Sequence, residues 1–245
     1  MEKKELELLT DIRDRIAVFN EFGYDIDNDE YESIDEALDD VFSHHKVQFA
    51  KGVSKLCIIP EEANWVVKVP FEGFIQHWYD FDNNGNEESH EEFCYNMGAG
   101  NSRNEWDYCL TEVEYYELAK DNNIADFFAK AECFGECRNG SYKTLPAYIQ
   151  EKCITISDLS YEDDKKYAPS ENSLKRINSS QKYDSKCFDK NWMASAIDFY
   201  GEEKLDELFS FLKEHPQISD FHWANYGYRI SDGSPVLIDY TGWHD

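Results

Sequence analysis

The sequence predicts an α+β fold, and three observations predict it. Along the 245-residue chain, hydrophobic spacing switches several times between the helical and the strand period. The strands come in groups instead of alternating one by one with helices, which argues against a doubly wound sheet. Aromatic residues make up 16% of the chain, so it can build a core and is not a disordered acidic tail.

The elements follow in order. Over residues 5–20, Leu8, Leu9, Ile12, Ile16 and Phe19 recur at helical spacing. A second helix is signalled at Ser33, which forms a capping box with Glu36 ahead of a stripe of Ile34, Ala37, Leu38, Val41 and Phe42. Three short strands follow over residues 46–71: KVQFAKG, SKLCIIP and NWVVKVPF. Residues 72–107 are acidic, aromatic and rich in Gly and Asn without a sustained period, so they are expected to be a long insertion. Residues 107–120 return to helix through Leu110, Val113, Tyr116 and Ala119. FFAKAECFGE and LPAYIQEKC read as a strand pair around the Asn139-Gly140 turn. Residues 160–190 mix Ser, Asn, Asp and Lys and are expected to be a solvated loop. One helical stretch is expected over 191–214, with Leu205, Leu208, Phe209 and Leu212 on one face. A closing hairpin joins YGYRI to PVLID through a Ser-Asp-Gly turn.

Charge and cysteine content bound the partners. The 51 Asp and Glu residues against 24 Lys and Arg leave a formal net charge of −27, which disfavours direct binding to nucleic acid or to an anionic membrane. The seven cysteines are scattered, and Cys133 and Cys137 do not make a CxxC, so buried thiols in a reducing cytoplasm are expected rather than zinc. The N-terminus MEKKELELL has no apolar core of a secretory signal, and no apolar run is long enough to span a bilayer.

The segment richest in chemistry is Ile218-Ser219-Asp220-Phe221-His222-Trp223-Ala224-Asn225, with Asp239 ending the strand that follows. Asn225 and Asp239, on the two arms of a short hairpin, supply hard oxygens of the kind Mg²⁺ shares with phosphate. Asp220 is placed to take a proton from an attacking hydroxyl. His222 either orients this loop, contacts phosphate, or is a packed histidine satisfied by backbone. Lys68, inside the apolar strand Val66-Val67-Lys68-Val69, is costly unless it meets an anion.

In these residues the chain resembles the protein-kinase-like superfamily. Asp220 to Asn225 has the D-x-x-x-x-N spacing of a catalytic loop, and Asp239 falls where the Asp of D-F-G stands. The loop D-F-H-W-A-N is closer to the D-L-H-P-G-N of small-molecule and atypical kinases. The resemblance implies further roles. Lys68 corresponds to the phosphate-binding lysine of V-A-I-K. Glu112 is its orienting glutamate, with Glu114 the runner-up. Gly52 and Ser54 stand in the phosphate-covering turn. Gln150, Glu151 and Lys152 occupy the adenine-binding hinge, with Gln150 as gatekeeper.

The resemblance covers about residues 46–242. It implies a two-lobe fold: an N-terminal helical extension over 1–45, a nucleotide-binding lobe with an antiparallel sheet over 46–152 (insertion 72–107), and a minimal helical lobe over 153–245. It departs from the family pattern at Ile218-Ser219, which replaces His-Arg, and at Tyr240-Thr241, which replaces Phe-Gly. Only six residues follow Asp239, so a peptide platform and a dedicated acceptor pocket are expected to be missing. The implied activity is an ATP:Mg²⁺-dependent phosphotransferase whose acceptor is a small molecule or a protein. The alternatives are a pseudokinase-like binding module and an acidic interaction protein for a basic partner.

Overall fold

The computed structural model describes residues 1–22, 34–51, 55–70, 105–138, 144–183, 188–219 and 221–240. The chain is α+β and forms two compact units. The first takes the residues up to Val113 and those from Ala131 to Gln150. The second takes Glu114 to Lys130 and Glu151 to Trp243.

The first unit is built on helices α1 (Lys3–Phe22) and α2 (Ile34–Val41) and strands β1 (Val47–Lys51), β2 (Lys55–Pro60), β3 (Trp65–Pro70), β4 (Ala131–Arg138) and β5 (Thr144–Glu151). Its antiparallel five-stranded sheet has the order β1-β2-β3-β5-β4. The first half of helix α3 (Glu105–Asp121) also belongs here. The period-2 alternation of the strands divides the sheet into two unlike faces. Leu56 and Ile58 of β2 lie opposite Val69 and Val67 of β3, and all four are fully buried. They pack with Ala147 and Ile149 of β5 against Leu9, Ile12 and Ile16 of α1 and Leu38, Val41 and Phe42 around α2. The helices expected as an N-terminal extension thus contribute Leu9, Ile12, Ile16, Leu38 and Val41 to this unit's core. Ser33, the expected cap of α2, lies outside the described residues.

The second unit contains strands β6 (Cys153–Thr155), β7 (Tyr226–Arg229) and β8 (Pro235–Leu237), paired in that order, and helices α4 (Tyr161–Lys166), α5 (Glu171–Ser179), α6 (Lys190–Tyr200) and α7 (Glu202–Glu214). Its core joins Trp192, Met193 and Ala196 of α6 to Leu205, Leu208 and Phe211 of α7 and to Phe127, Phe128, Tyr226 and Leu237. Gly227 is obligatory, because a Cβ there would lie 1.9 Å from the carbonyl oxygen of Ile154 on β6.

Four expectations are corrected here. The described residues of 160–190 are not a solvated loop: α4 and α5 lie there, and Tyr167, Ile177 and Tyr183 enter the core. Their helix starts are set by side-chain caps. Ser160 and Asp163 form a capping box, and Ser170 accepts from the amide of Ser173. The stretch 191–214 is two helices, because Gly201 at φ +90° closes α6 and opens α7. The apolar run after the Asn139-Gly140 position is likewise two strands, β5 and β6, in different sheets, and strand β4 starts only at Ala131, after a short 3₁₀ turn at Ala125–Phe127. Finally, the described thiols are not buried: Cys57 and Cys153 are partly exposed and Cys133 is exposed. Among the described residues no helix is long and apolar enough to cross a membrane.

Candidate functional site

The second face of the five-stranded sheet carries polar residues. Because Cys57 of β2 lies opposite Lys68 of β3, Lys55, two residues from Cys57, shares that face as a diagonal neighbour of Lys68. Tyr148 and Gln150 of β5 stand on it too, since Ala147 and Ile149 between and before them point into the core. Against this face α3 sets Glu112, which has no solvent exposure.

The side chains meet on the Glu112 carboxylate. Lys68 Nζ donates to Oε2 at 3.0 Å and to Oε1 at 3.2 Å. Lys55 Nζ donates to Oε1. Gln150 Nε2 donates to Oε2 at 3.2 Å. The ammonium of Lys68 also lies 5.8 Å from the centre of the Tyr148 ring, within cation–π range. Lys55 and Lys68 are only 8% and 6% exposed, so this is an ion-pair group largely out of water. Charges so placed are stable only while each is matched by hydrogen bonds of good geometry. Glu114, the other carboxylate considered for Lys68, is exposed.

Sequence reasoning missed Lys55. The signal was present in weak form, as a lysine opening the apolar strand KLCIIP. Its relation to Lys68 follows only from the register of the β2–β3 pair.

The second group sits at the end of the β7–β8 hairpin. Asn225 immediately precedes β7, is 8% exposed, and its carbonyl oxygen accepts from the amides of Ile238 at 2.8 Å and Asp239 at 3.2 Å. The hairpin register thus brings the two expected metal ligands side by side along the backbone. The preceding loop closes as a tight turn. The Asn225 amide donates to the His222 carbonyl at 2.7 Å, and the Ala224 amide donates to His222 Nδ1 at 3.3 Å. His222 is exposed and braces this turn rather than packing in the core. Trp223, at the tip, is 64% exposed. Asp220, Gly52 and Ser54 lie outside the described residues.

The segment expected as a hinge divides its work. Gln150 is buried and tied to Glu112. Glu151 donates its amide to the Lys130 carbonyl at 2.8 Å, and its carboxylate accepts from Arg229 Nε at 2.8 Å. Arg229 spends its other donors on the carbonyls of Asp126 and Phe128, on Ser234 Oγ and on Tyr200 Oη. Burial works against the charge on Arg229, but the hydrogen bond and charge of Glu151, with smaller contributions from Tyr200 and Cys153, together hold the guanidinium above its usual pKa. This cluster fixes the start of the second unit around the chain that follows Gln150. Lys152 is half-buried beside it.

Among the described residues no group of three or more His, Cys, Asp or Glu side chains is arranged to hold a metal by itself. Asn225 and Asp239 each carry a hard oxygen of the kind that Mg²⁺ shares with water and phosphate. A cavity of about 300 Å³ in the second unit, lined by Tyr167, Ser195, Asp198, Phe199 and Tyr228 among others, contains none of these residues. No protein-family model, no curated protein and no solved structure matches the chain.

Proposed function

We propose that the protein is an ATP:Mg²⁺-dependent phosphotransferase of the protein-kinase-like kind, acting on a hydroxyl of a small molecule or a protein. One observation carries the reading: the buried bond between Lys68, on the third strand of the sheet, and Glu112, on the helix that follows. A strand lysine oriented by a helix glutamate is the arrangement with which protein kinases hold the nucleotide phosphates. A lysine this enclosed is kept where an anion of high charge gains most from it, because a low local dielectric strengthens the attraction.

The remaining roles follow from residue chemistry. Lys68 binds phosphate oxygens and Glu112 keeps its ammonium aimed. Gln150 holds Glu112 in turn. Glu151 and Lys152 present the backbone for the adenine edge. Gly52 and Ser54 cover the phosphates. Asn225 and Asp239 would hold Mg²⁺, which supplies neutralisation of phosphate charge when bound. Asp220 accepts the acceptor's proton as its oxygen bonds to the γ-phosphorus and the bond from that phosphorus to the bridging oxygen breaks, releasing ADP.

The test is transfer of labelled γ-phosphate by the full chain with Mg²⁺, offered small hydroxyl compounds, protein acceptors and the chain itself. The wild type is expected to transfer label, and Asp220→Ala and Lys68→Met to lose about a hundredfold or more of the rate. Nucleotide binding without transfer to any acceptor would favour the pseudokinase-like module. Absence of Mg²⁺·ATP binding would end the nucleotide reading altogether.

A further inference from the structure

We infer that Lys55 is a second phosphate-binding lysine, which makes the site selective for nucleotides carrying two or three phosphates over those carrying one or none. The inference rests on the phosphotransferase reading and adds to it a residue that the resemblance does not assign. Three features carry it. Lys55 and Lys68 lie on one sheet face as diagonal cross-strand neighbours, through the pairing of Cys57 with Lys68. Both donate to the same carboxylate, that of Glu112, so one acid aims two ammonium groups. Both are almost fully buried in a chain with 51 acidic residues, where an exposed lysine would have no difficulty finding a carboxylate on the surface.

The physical argument concerns the cost of the arrangement. Two ammonium groups drawn to one carboxylate repel each other, and each has given up most of its water. A polyphosphate chain offers several anionic oxygens in a row and can meet both cations at once. A monophosphate offers one short anion and meets one of them. Glu112 then serves as the common support from which both lysines reach. Gln150, donating to Oε2 alongside Lys68, keeps that carboxylate from turning.

The test measures dissociation constants of Mg²⁺·ATP, Mg²⁺·ADP, AMP and adenosine for the full-length wild type, Lys55→Gln, Lys55→Arg and Lys68→Gln. Loss of one charged hydrogen bond to phosphate corresponds to about a tenfold to hundredfold weakening. Lys55→Gln is expected to weaken ATP and ADP by that factor while leaving AMP and adenosine within about twofold, and Lys55→Arg to recover most of the loss. A merely structural lysine would weaken all four ligands alike, which overturns the inference. So does a Lys55→Gln protein that binds ATP as the wild type does, while Lys68→Gln does not. That pattern leaves the phosphotransferase reading standing. Failure of the wild type to bind Mg²⁺·ATP overturns both.

Should Lys55→Gln not fold, the wild type decides the matter with an acyl-phosphate derivative of ATP. This reagent transfers its acyl group from the terminal phosphate to a lysine Nζ in contact with it, releasing ATP and a proton. Acylation of both Lys55 and Lys68 supports the inference, and acylation of Lys68 alone overturns it.

Discussion

Glu112 is the side chain on which the first unit's polar face depends. It receives Lys55, Lys68 and Gln150, and it is fully enclosed. Replacing it removes one charge and strands two. Glu112→Ala is therefore expected to destabilise the protein by about 3–5 kcal/mol, the range for breaking a buried ion pair from one side. Urea denaturation followed by tryptophan fluorescence would measure it. A change below about 1 kcal/mol would mean that the lysines swing to water at little cost. Lys68 was legible in the sequence, because a lysine in the middle of Val66-Val67-Lys68-Val69 needs an anion, whereas Glu112 was implied only by the family resemblance, with Glu114 as the runner-up. Lys55 was not legible, because its neighbours along the chain do not reveal what lies across the strand.

Among the secondary-structure elements, the second unit's sheet is held by a close approach rather than by length. Strands β6 and β8 have three residues each and β7 has four. Gly227 lets β6 come against β7, and its carbonyl accepts from Trp192 Nε1 at 3.0 Å, which locks α6 to the sheet. Gly227→Ala would set a methyl 1.9 Å from the Ile154 carbonyl oxygen, so the two strands must part. The expected cost is about 3 kcal/mol or more, at or beyond the upper end for overpacking. A thermal midpoint within about 2 °C of the wild type would show that β6 yields freely. The helices of residues 160–190 are a different lesson. Their apolar residues are sparse, and their starts are set by Ser160, Asp163 and Ser170, residues equally at home in loops. Asp198 shows how such a segment is anchored. Burial raises its pKa, but hydrogen bonds from Ser173 and Ser170 outweigh that and hold the carboxyl below its usual value.

Over the whole molecule, a net charge of −27 sets like charges against one another in the folded state. Screening shortens their reach from about 30 Å at 10 mM salt to about 8 Å at 150 mM. The thermal midpoint is therefore expected to rise by several degrees over that range. A midpoint that falls with added salt would mean that attractive surface pairs, such as Arg176 with Glu202 and Lys182 with Asp206, outweigh the general repulsion. The same field would act against the proposed anionic nucleotide at long range, while Lys55 and Lys68 would act for it at contact. The two effects differ in range, so the overall charge and a local phosphate site are compatible.

Hydrophobic spacing is a relation between near neighbours, and it was enough to recognise α1, α2, α3, the three strands β1 to β3 and the closing hairpin; Lys68, Asn225 and Asp239 stood out by their chemistry within those elements, and Glu112 only through the family resemblance. Residues related across strands escape such a reading. The sharing of Glu112 by Lys55 came from the β2–β3 register, the break at Gly201 from a positive φ inside a helical pattern, and the parting of β5 from β6 from their pairing with different strands. At Gly201 the deciding feature is local, a backbone conformation that glycine tolerates; in the other two cases the deciding energy comes from a partner distant in the chain, and folding alone brings that partner within reach.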